Sequence, residues 1–593
     1  MKKQNKNKVS LIKCMSIFDG LKMPWGLLLV GLIFTVFSSW AALTTVTFSG
    51  NAVDASGEVP TAELISYVAA TFISLAFMIT GGVATNFAYV KIRYLLRNRL
   101  WHKIMVTKQK VYDINGGETL ISRITADAEF SSKFFEIGFG LLSTLISVVM
   151  YILQMWLINK TMLMWTAVII PICLILGMGY AFVRFLVYIK VQGKLADATA
   201  YLTERTKDMN LIKTCNATET EIAKGKSYFR EQYKAQLKLG FSGMLATVIS
   251  TILDVCGKVV PFLVGAVLVA NGEISVGVLV TIQGLFVNIL TVGGTVTTNA
   301  AGIKEAHGAL VRVVTLLEAE EEDRTVGETL AAGSEEDLIF DQVSFSYNEE
   351  KQVLKNISCS IPKNQITAVV GTNGSGKTTM MKLLTRLYEP EAGTIRFGDT
   401  NASVYSLDSW RQQICLIAQG SPMMAGTIRE NICYGRNDDV SEEELLHVAK
   451  LSHVWDFVQE LPKGFDSEVL PCGSNFSGGQ RQCIAIARAM MSKSEYLLLD
   501  ESTSNLDVKR EKDVLEAMSE LMKDRTTIII AHSLATIRNA DHVIVLNNGQ
   551  IETEGAPADI LRQTGNYLDK MMKRKGTAVP AGNNQGKGGN NYG

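Results

Sequence analysis

The hydrophobic pattern divides the chain into an apolar first half and a mixed, more polar second half. Six stretches in the first half are long enough to cross a hydrocarbon core, which needs roughly 20 apolar residues in a helix. They cover residues 25–47, 64–89, 137–158, 162–182, 244–269 and 276–300. This pattern predicts a bundle of six membrane-spanning helices.

The connections between these stretches alternate between two kinds. Those after the first, third and fifth stretches are short and nearly free of basic residues, whereas the connection after the second is long and basic: Arg93, Arg97, Arg99, Lys103, Lys108, Lys110 and Arg123. The positive-inside bias therefore predicts that the N-terminus and both long connections are cytoplasmic. The lysines near the N-terminus precede an apolar stretch with no clear cleavage site, so we expect a retained first helix.

The two long connections, 90–136 and 183–243, exceed ordinary loop lengths, and their apolar residues recur at helical spacing. We expect the membrane helices to continue into the cytoplasm. Within the first connection, Gly116 and Gly117 break one helix, and the polar segment 122–127 is suited to cap the next. This elbow is either a docking element for another domain or a solvated turn.

Two ionisable residues lie inside the fifth stretch. Charges at membrane depth are costly and tend to face an interior pathway. Asp254 and Lys258 are four positions apart, so they share one helix face. The sequence leaves two interpretations open: the pair satisfies itself, or it contacts a transported substrate.

Composition excludes several classes of protein. Lys plus Arg and Asp plus Glu both total 58, so the basic excess typical of a nucleic-acid binder is missing. The nine cysteines are scattered and form no CxxC pair, which argues against a disulfide framework or a zinc site. A reduced cytosolic setting fits the polar half, and we expect no nucleic-acid partner.

The polar half opens with an acidic linker, residues 318–337, and a domain begins near Leu338. Its first motif follows a strand-like run, 366–370, and precedes a helix-like run, the context that a P-loop requires. Backbone N–H groups of such a loop bind phosphate, Lys377 adds a charge near the terminal phosphates, and the Thr378 hydroxyl is suited to ligate magnesium. The motif comprises Gly371, Thr372, Asn373, Gly374, Ser375, Gly376, Lys377 and Thr378.

A second motif is an apolar strand, 496–499, that ends in Asp500 and Glu501. Adjacent acids that close a buried strand have no packing purpose. We expect Asp500 to hold magnesium and Glu501 to polarise the attacking water. A further strand-like run, 526–531, ends at His532, which is either a structural histidine or a γ-phosphate sensor at the same sheet edge.

A third motif lies between these two. Ser477 is placed to cap the helical run 483–491, while Gly478 and Gly479 expose backbone amides. The segment therefore predicts a second anion-binding surface, separate from the P-loop. One domain would then carry two phosphate-binding ends.

Together these motifs resemble the ABC transporter family, specifically half-transporters with the exporter-type membrane fold, and the resemblance covers nearly the whole chain. It implies that 371–379 is the Walker A loop, including Thr379, that 497–500 is the Walker B strand, and that 476–480 is the signature, with Phe476 where leucine is commoner. Gln419 resembles the Q-loop glutamine that reaches magnesium, and Asp507 lies in a segment that resembles the D-loop. His532 resembles the switch histidine, and Tyr347 resembles the aromatic residue that stacks on adenine. Tyr347 alone is equally consistent with a surface strand tyrosine.

The resemblance also implies coupling regions, one around Gly116 and Asp127 and another over residues 202–221. The expected nucleotide contacts include Gln480, next to Ser477 and its two glycines. The chain departs from the family at Pro471, where exporters usually carry an acidic residue shortly before the signature, and at Ser533, where an arginine is frequent. The acidic contact to the membrane domain is therefore expected to be absent at that place.

The resulting prediction is a six-helix membrane domain of the exporter-type ABC fold (1–317), a linker (318–337), an α/β P-loop ATPase domain (338–575) and a disordered tail (576–593). The expected function is Mg-ATP-driven transport of a small molecule, lipid or peptide by alternating access, in the export direction, across a plasma membrane, with the ATPase domain cytoplasmic. A second half-transporter is the expected partner, as a homodimer first and a heterodimer second. The alternatives are an exporter-shaped importer of siderophore-like chelates and a soluble ABC-type ATPase.

Overall fold

The computed structural model describes residues 16–55, 61–330, 333, 336–348, 351–436, 438–500, 508–531, 533–563 and 568, with some side chains inside these ranges left out. The chain forms two compact units. The first comprises Met1–Thr107 and Ile114–Glu320, and the second comprises Lys108–Asp113 and Glu321–Gly593.

The first unit is helical, and each predicted membrane stretch lies inside one long helix. These helices extend beyond the apolar stretches, which confirms the expectation that the long connections are helical. The helices are α1 (Trp25–Asp54), α2 (Thr61–Val106), α4 (Gly117–Ser122), α5 (Ala128–Ile158), α6 (Lys160–Lys207), α7 (Met209–Thr214), α8 (Thr218–Ala270) and α9 (Val276–Leu317). Helix α3 (Gln109–Asn115) spans the boundary between the two units.

Three helical runs are long and apolar enough to cross a membrane when only the described residues are considered: Trp25–Asp54, Thr61–Val106 and Gly117–Ile158. Small residues allow the first two to pack closely. A side chain at Gly31 would meet Thr85 of α2, and one at Gly81 would meet the backbone of α1. Buried hydroxyls connect α1 to α5, because Ser39 and Ser147 are hydrogen-bonded at 2.7 Å. Close backbone approach and hydroxyl pairs are typical of helix packing in lipid.

The predicted elbow is present, but its capping differs from the expectation. Gly116 adopts a φ of +74° and is the N-cap of α4, without a side-chain cap hydrogen bond. Residues Arg123–Asp127 form a π-helical turn that continues into α5. Asp127 is buried, and Arg312 of α9 binds its two carboxylate oxygens at 2.9 and 2.5 Å. The bidentate ion pair, rather than a polar cap, fixes this turn.

The second long connection turns at the short helix α7, which lies between α6 and α8. Glu221 of α8 accepts hydrogen bonds from Tyr201 and Arg205 of α6 at 2.6 and 2.8 Å. These hydrogen bonds hold the pKa of Glu221 at about 2. The two helices that lead to α7 are therefore tied together just before the turn.

The second unit is an α/β domain with three sheets. Its strands are β1 (Leu338–Ser346), β2 (Gln352–Ile361), β3 (Ile366–Gly371), β4 (Ala392–Phe397), β5 (Thr400–Asn401), β6 (Ile414–Ile417), β7 (Gly426–Thr427), β8 (Glu468–Val469), β9 (Tyr496–Asp500), β10 (Thr526–Ile530), β11 (His542–Asn547) and β12 (Gln550–Gly555). The central sheet has the order β12-β11-β3-β10-β9-β6, and an antiparallel sheet has the order β2-β1-β4-β5.

Helices pack on these sheets around two main cores. One core contains the apolar face of the helix that follows Ser477, together with Leu497 and Leu499 of β9. The other contains Trp410, Leu498 and the antiparallel sheet. The helices are α10 (Lys377–Leu384), α11 (Leu407–Gln412), α12 (Ile428–Ile432), α13 (Glu442–Leu451), α14 (Trp455–Val458), α15 (Gly478–Met491), α16 (Val508–Met522), α17 (Leu534–Arg538) and α18 (Pro557–Ile560).

Candidate nucleotide-binding site

Four neighbouring parallel strands bring the predicted motifs to one edge of the central sheet. β10 pairs with β3 and with β9, and β6 pairs with β9, all in parallel register. In that register Ile530 lies opposite both Val369 and Asp500. The carboxyl ends of β3, β10, β9 and β6 therefore share an edge, which is where ligands bind in open α/β sheets.

The loop after β3 requires glycine at its ends. Gly371 has no room for a Cβ, which would meet the carbonyl oxygen of Leu546. Gly376 has a φ of +107°, and a Cβ there would meet Leu354. Gly376 is also the N-cap of α10, whose first residue is Lys377. The loop therefore leads directly into the amino end of α10, where backbone N–H groups are suited to bind phosphate.

Lys377 is held inside the loop. Its Nζ donates to the carbonyl oxygens of Gly371 and Thr372 at 2.9 and 3.0 Å. Burial lowers the pKa of Lys377, while the negative charge of Asp500 opposes this shift. The ammonium group thus lies in the loop, and Asp500 supplies a negative charge near it. Because burial disfavours the charged form of Lys377, the negative charge of a bound phosphate would stabilise the ammonium further.

The predicted magnesium ligands fit a hard cation by their chemistry. Thr378 lies in the first turn of α10, Asp500 closes β9, and the exposed Gln419 follows β6. Their donor atoms are hydroxyl, carboxylate and amide oxygens, which is the set that Mg²⁺ prefers. All three lie at the carboxyl edge of the sheet.

Ser477 begins α15 as predicted, and it does so through a full capping box. Its Oγ accepts from the N–H of Gln480 at 3.3 Å, while the Gln480 side chain accepts from the N–H of Ser477 at 2.9 Å. Phe476 is buried next to Phe457, with ring centroids 6.1 Å apart. Because the Ser477 hydroxyl is used as an acceptor, its hydrogen stays free to be donated to an anion.

Tyr347 follows β1 and is 36% exposed. Its hydroxyl lies 3.2 Å from Oγ1 of Thr379 in α10. Its ring contacts that of Tyr388 edge-on at 5.1 Å, and Nζ of Lys382 lies 5.2 Å from its centroid. Neither Tyr388 nor Lys382 belongs to a motif, so the sequence does not predict that they lie at this position.

Several predicted residues lie outside the described part of the chain: Glu501, Asp507 and His532. Their expected roles stay predictions. Within the membrane domain, the side chain of Asp254 is also outside the description, while the carbonyl of Lys258 accepts from Gln283 at 3.1 Å. The proposed pairing of Asp254 with Lys258 is therefore untested.

Comparison with known families accounts for both units. Residues 27–292 match the family described as "ABC transporter transmembrane region", and residues 354–504 match "ABC transporter". The chain belongs to the ABC transporter family. The resemblance inferred from its motifs is confirmed, as is the fold class of a helical membrane domain joined to an α/β ATPase domain.

Curated relatives and a solved structure agree. A "Multidrug resistance ABC transporter ATP-binding and permease protein" of Lactococcus lactis subsp. lactis (strain IL1403) is 33% identical over 78% of this chain and 78% of that protein. An "ATP-dependent lipid A-core flippase" of Haemophilus influenzae (strain 86-028NP) is 31% identical over 84% and 86%. The structure of "a bacterial Atm1-family ABC exporter with ATP bound" aligns with a TM-score of 0.78 and 25% identity, covering 93% of this chain and 99% of that one.

The chain is therefore an ATP-binding membrane protein whose ATPase activity drives transport, and its relatives favour export over the importer and soluble-ATPase alternatives. A chain with one membrane domain and one ABC domain is half of a transporter, so it works as part of a dimer. The membrane domain contains the apolar helices described above.

Proposed function

We propose that this chain is a homodimeric exporter of an amphipathic small molecule or lipid, driven by Mg-ATP bound between two cytoplasmic ATPase domains. The observation that carries the proposal is that one chain contains a P-loop before a helix, a strand that ends in a carboxylate and a capped signature helix. One sequence thus supplies both halves of each nucleotide site, which is what a homodimer needs.

In this proposal each P-loop faces the signature of the partner subunit. Lys377 and the loop amides bind the phosphates, Thr378, Asp500 and Gln419 hold Mg²⁺, and Tyr347 stacks on adenine. Across the interface, Ser477, Gly478, Gly479 and Gln480 bind the γ-phosphate, and Asp507 contacts the opposite site. Glu501 polarises the attacking water, and His532 senses the γ-phosphate.

The proposed domain boundaries are those that the sequence predicts. Residues 1–317 form the membrane domain, 318–337 the linker, 338–575 the ATPase domain and 576–593 a tail. Closing of the ATP sandwich would favour the outward-open state by binding it more tightly, and hydrolysis would reset it. The basic residues of the long connection after the second stretch support a cytoplasmic position for the ATPase domain, with the bundle in the plasma membrane.

The substrate class is argued from the membrane domain and its relatives. Many large apolar side chains are exposed on the described membrane helices, and relatives are named as a multidrug resistance transporter and as a lipid A-core flippase. Amphipathic molecules fit such surfaces better than small ions do.

The test is ATP turnover by the purified chain alone in lipid nanodiscs, compared with Glu501→Gln. We expect turnover in the parent and a loss of at least 100-fold in the variant, because the polarising carboxylate is removed without a change in shape. Both proteins should still bind trinitrophenyl-ATP. Asp408→Asn, which alters a surface ion pair with Arg324 and belongs to none of the motifs, is the matched control and should keep the parent rate.

A parent protein that is folded and binds nucleotide but does not hydrolyse it would overturn the homodimer and indicate a different partner subunit. Full activity in Glu501→Gln would overturn its catalytic role. Direction is tested separately with inside-out vesicles and the dye Hoechst 33342, where ATP-dependent accumulation is expected for export.

A further inference from the structure

Three arginines meet at the π-helical turn Arg123–Asp127 in the cytoplasmic part of the bundle. Arg123 belongs to the turn, Arg97 reaches it from α2, and Arg312 reaches it from α9. Single π-helical turns are rare in proteins, and they occur frequently at functional sites. The turn is therefore a candidate for a binding site.

Arg312 has a counterion in this cluster, whereas Arg123 has to share it. Arg312 binds both carboxylate oxygens of the buried Asp127, at 2.9 and 2.5 Å. Arg123 donates instead to two neutral acceptors, the carbonyl oxygen of Arg312 at 3.3 Å and the side-chain oxygen of Asn115 at 3.1 Å. Burial lowers the pKa of Arg123; the charge of Asp127 opposes this shift, and the charge of Arg312 adds to it. A partly buried guanidinium thus lies beside a second one, and the nearby carboxylate is already bound.

Arg97 adds a third positive charge, and the cluster also lacks hydrogen-bond acceptors. The Arg97 guanidinium donates to the carbonyl oxygen of Thr125 in the turn at 3.2 Å. The Nε atoms of Arg97 and Arg123 are both buried, and neither has a hydrogen-bond partner among the described residues. Unsatisfied buried donors are costly, and buried charges are normally paired. Three guanidinium groups against the one carboxylate of Asp127 leave two positive charges without a counterion in the described part of the chain.

A phosphate group would supply what this cluster lacks. Its charge of about −2 near pH 7 matches the two uncompensated cations, and its oxygens are strong acceptors. The planar guanidinium group binds phosphate with two parallel hydrogen bonds, which is why arginine is common at phosphate sites. The side chain of Arg312 is 54% exposed, so the cluster is open to the solvent.

The distance from the membrane distinguishes a soluble phosphate from a lipid headgroup. Arg97 lies eight residues beyond the second apolar stretch, which ends at residue 89, or about 12 Å along a helix. Asp127 lies ten residues before the third stretch, which begins at residue 137, or about 15 Å. The headgroup layer on each side of the hydrocarbon core is only roughly 5 to 8 Å thick. A soluble solute therefore fits this position better than a lipid does.

We propose that Arg97, Arg123 and Arg312 form a binding site for a soluble phosphate-bearing anion at the π-helical turn, separate from the nucleotide site of the ATPase unit. The phosphate accepts hydrogen bonds from Arg97 and Arg123 and is attracted by Arg312, which keeps its ion pair with Asp127. The inference goes beyond the proposed function and does not depend on it, because these residues belong to no nucleotide motif.

The experiment measures amide hydrogen exchange of residues 117–130 in the full chain, in nucleotide-free nanodiscs of phosphatidylcholine. Inorganic phosphate is the probe, and chloride at equal ionic strength is the reference, because screening alone acts in both salts. Arg123→Gln removes one cation of the site. Arg230→Gln is the matched control, since it removes an exposed cation from the cytoplasmic part of α8. Lys377→Ala separates any response to phosphate bound in the P-loop.

We expect phosphate to slow exchange of residues 117–130 at least threefold relative to chloride in the parent, in Arg230→Gln and in Lys377→Ala. Arg123→Gln should lose this difference between the two salts. A merely structural role would speed exchange in both salts equally and leave the difference intact. If Arg123→Gln does not fold, Arg97→Gln decides the matter by the same readout, because it removes only one hydrogen bond to the turn.

Equal exchange in phosphate and chloride in the parent, or a parental difference in Arg123→Gln, would overturn the site. Loss of the difference in Lys377→Ala would assign it to the P-loop and overturn the site as well. A third arm uses nanodiscs with phosphatidylglycerol and no inorganic phosphate. Protection of residues 117–130 that appears only there would identify a lipid headgroup as the ligand and overturn the soluble occupant.

Discussion

Ser477 offers the sharpest test of the nucleotide site, since its hydroxyl has a structural and a proposed functional role that separate variants distinguish. As the N-cap of α15 it accepts from the N–H of Gln480. Loss of such a cap to alanine costs about 1 kcal/mol, whereas glycine costs only a few tenths of that. Ser477→Ala should therefore lower the stability of the domain, and Ser477→Gly should lower it much less.

Activity is expected to follow a different order. A hydrogen bond to a charged group contributes about 1.5 to 3 kcal/mol. Because each ~1.4 kcal/mol changes a rate about tenfold, losing the γ-phosphate contact should slow ATP turnover roughly 10- to 150-fold. Ser477→Gly and Ser477→Ala should both show this loss.

Thr427 provides the matched control. It caps α12 through the same kind of capping box, in which Thr427 Oγ1 accepts from Glu430 N–H at 3.1 Å and the Glu430 side chain accepts in return at 2.8 Å. Thr427→Ala should lose about as much stability as Ser477→Ala but keep ATP turnover within about twofold. Turnover in nanodiscs and chemical unfolding measure the two effects. Parental ATP turnover by Ser477→Gly would contradict a contact between this hydroxyl and the γ-phosphate.

Three further outcomes are expected. Because burial lowers the pKa of Lys377 and Asp500 opposes this, ATP affinity without Mg²⁺ should fall about tenfold per pH unit above that pKa, and Asp500→Asn should move the fall to lower pH; an unchanged titration curve would contradict this. Tyr347→Ala should weaken ATP binding about 2- to 12-fold in fluorescence titrations while Tyr347→Phe keeps it, since only the ring stacks. Gly371→Ala should destabilise the ATPase unit by about 1 to 3 kcal/mol in chemical unfolding because the new Cβ meets the Leu546 carbonyl; an unshifted transition would disprove the clash.

Elements with a strong local signal were predictable. The six membrane stretches were visible because lipid demands long uninterrupted apolar helices. The Walker A loop was visible because phosphate binding requires glycine where a Cβ cannot fit, as at Gly371 and Gly376. Ser477 was recognised as a helix cap because its partner, Gln480, is three residues away. The polar cap expected in the elbow was wrong, since Gly116 begins α4 and a long-range ion pair holds the next turn.

Neighbouring residues and the geometry of single strands, loops and helices were therefore enough to predict the family, the order of the two domains and the candidate phosphate-binding residues. The contacts around the carboxyl end of α10, in contrast, are seen only in the folded chain. Asp113 and Tyr388 are 275 positions apart, and Glu322 and Arg411 are 89 apart. No periodicity or motif relates such residues, since their contact depends on how separate strands and helices pack.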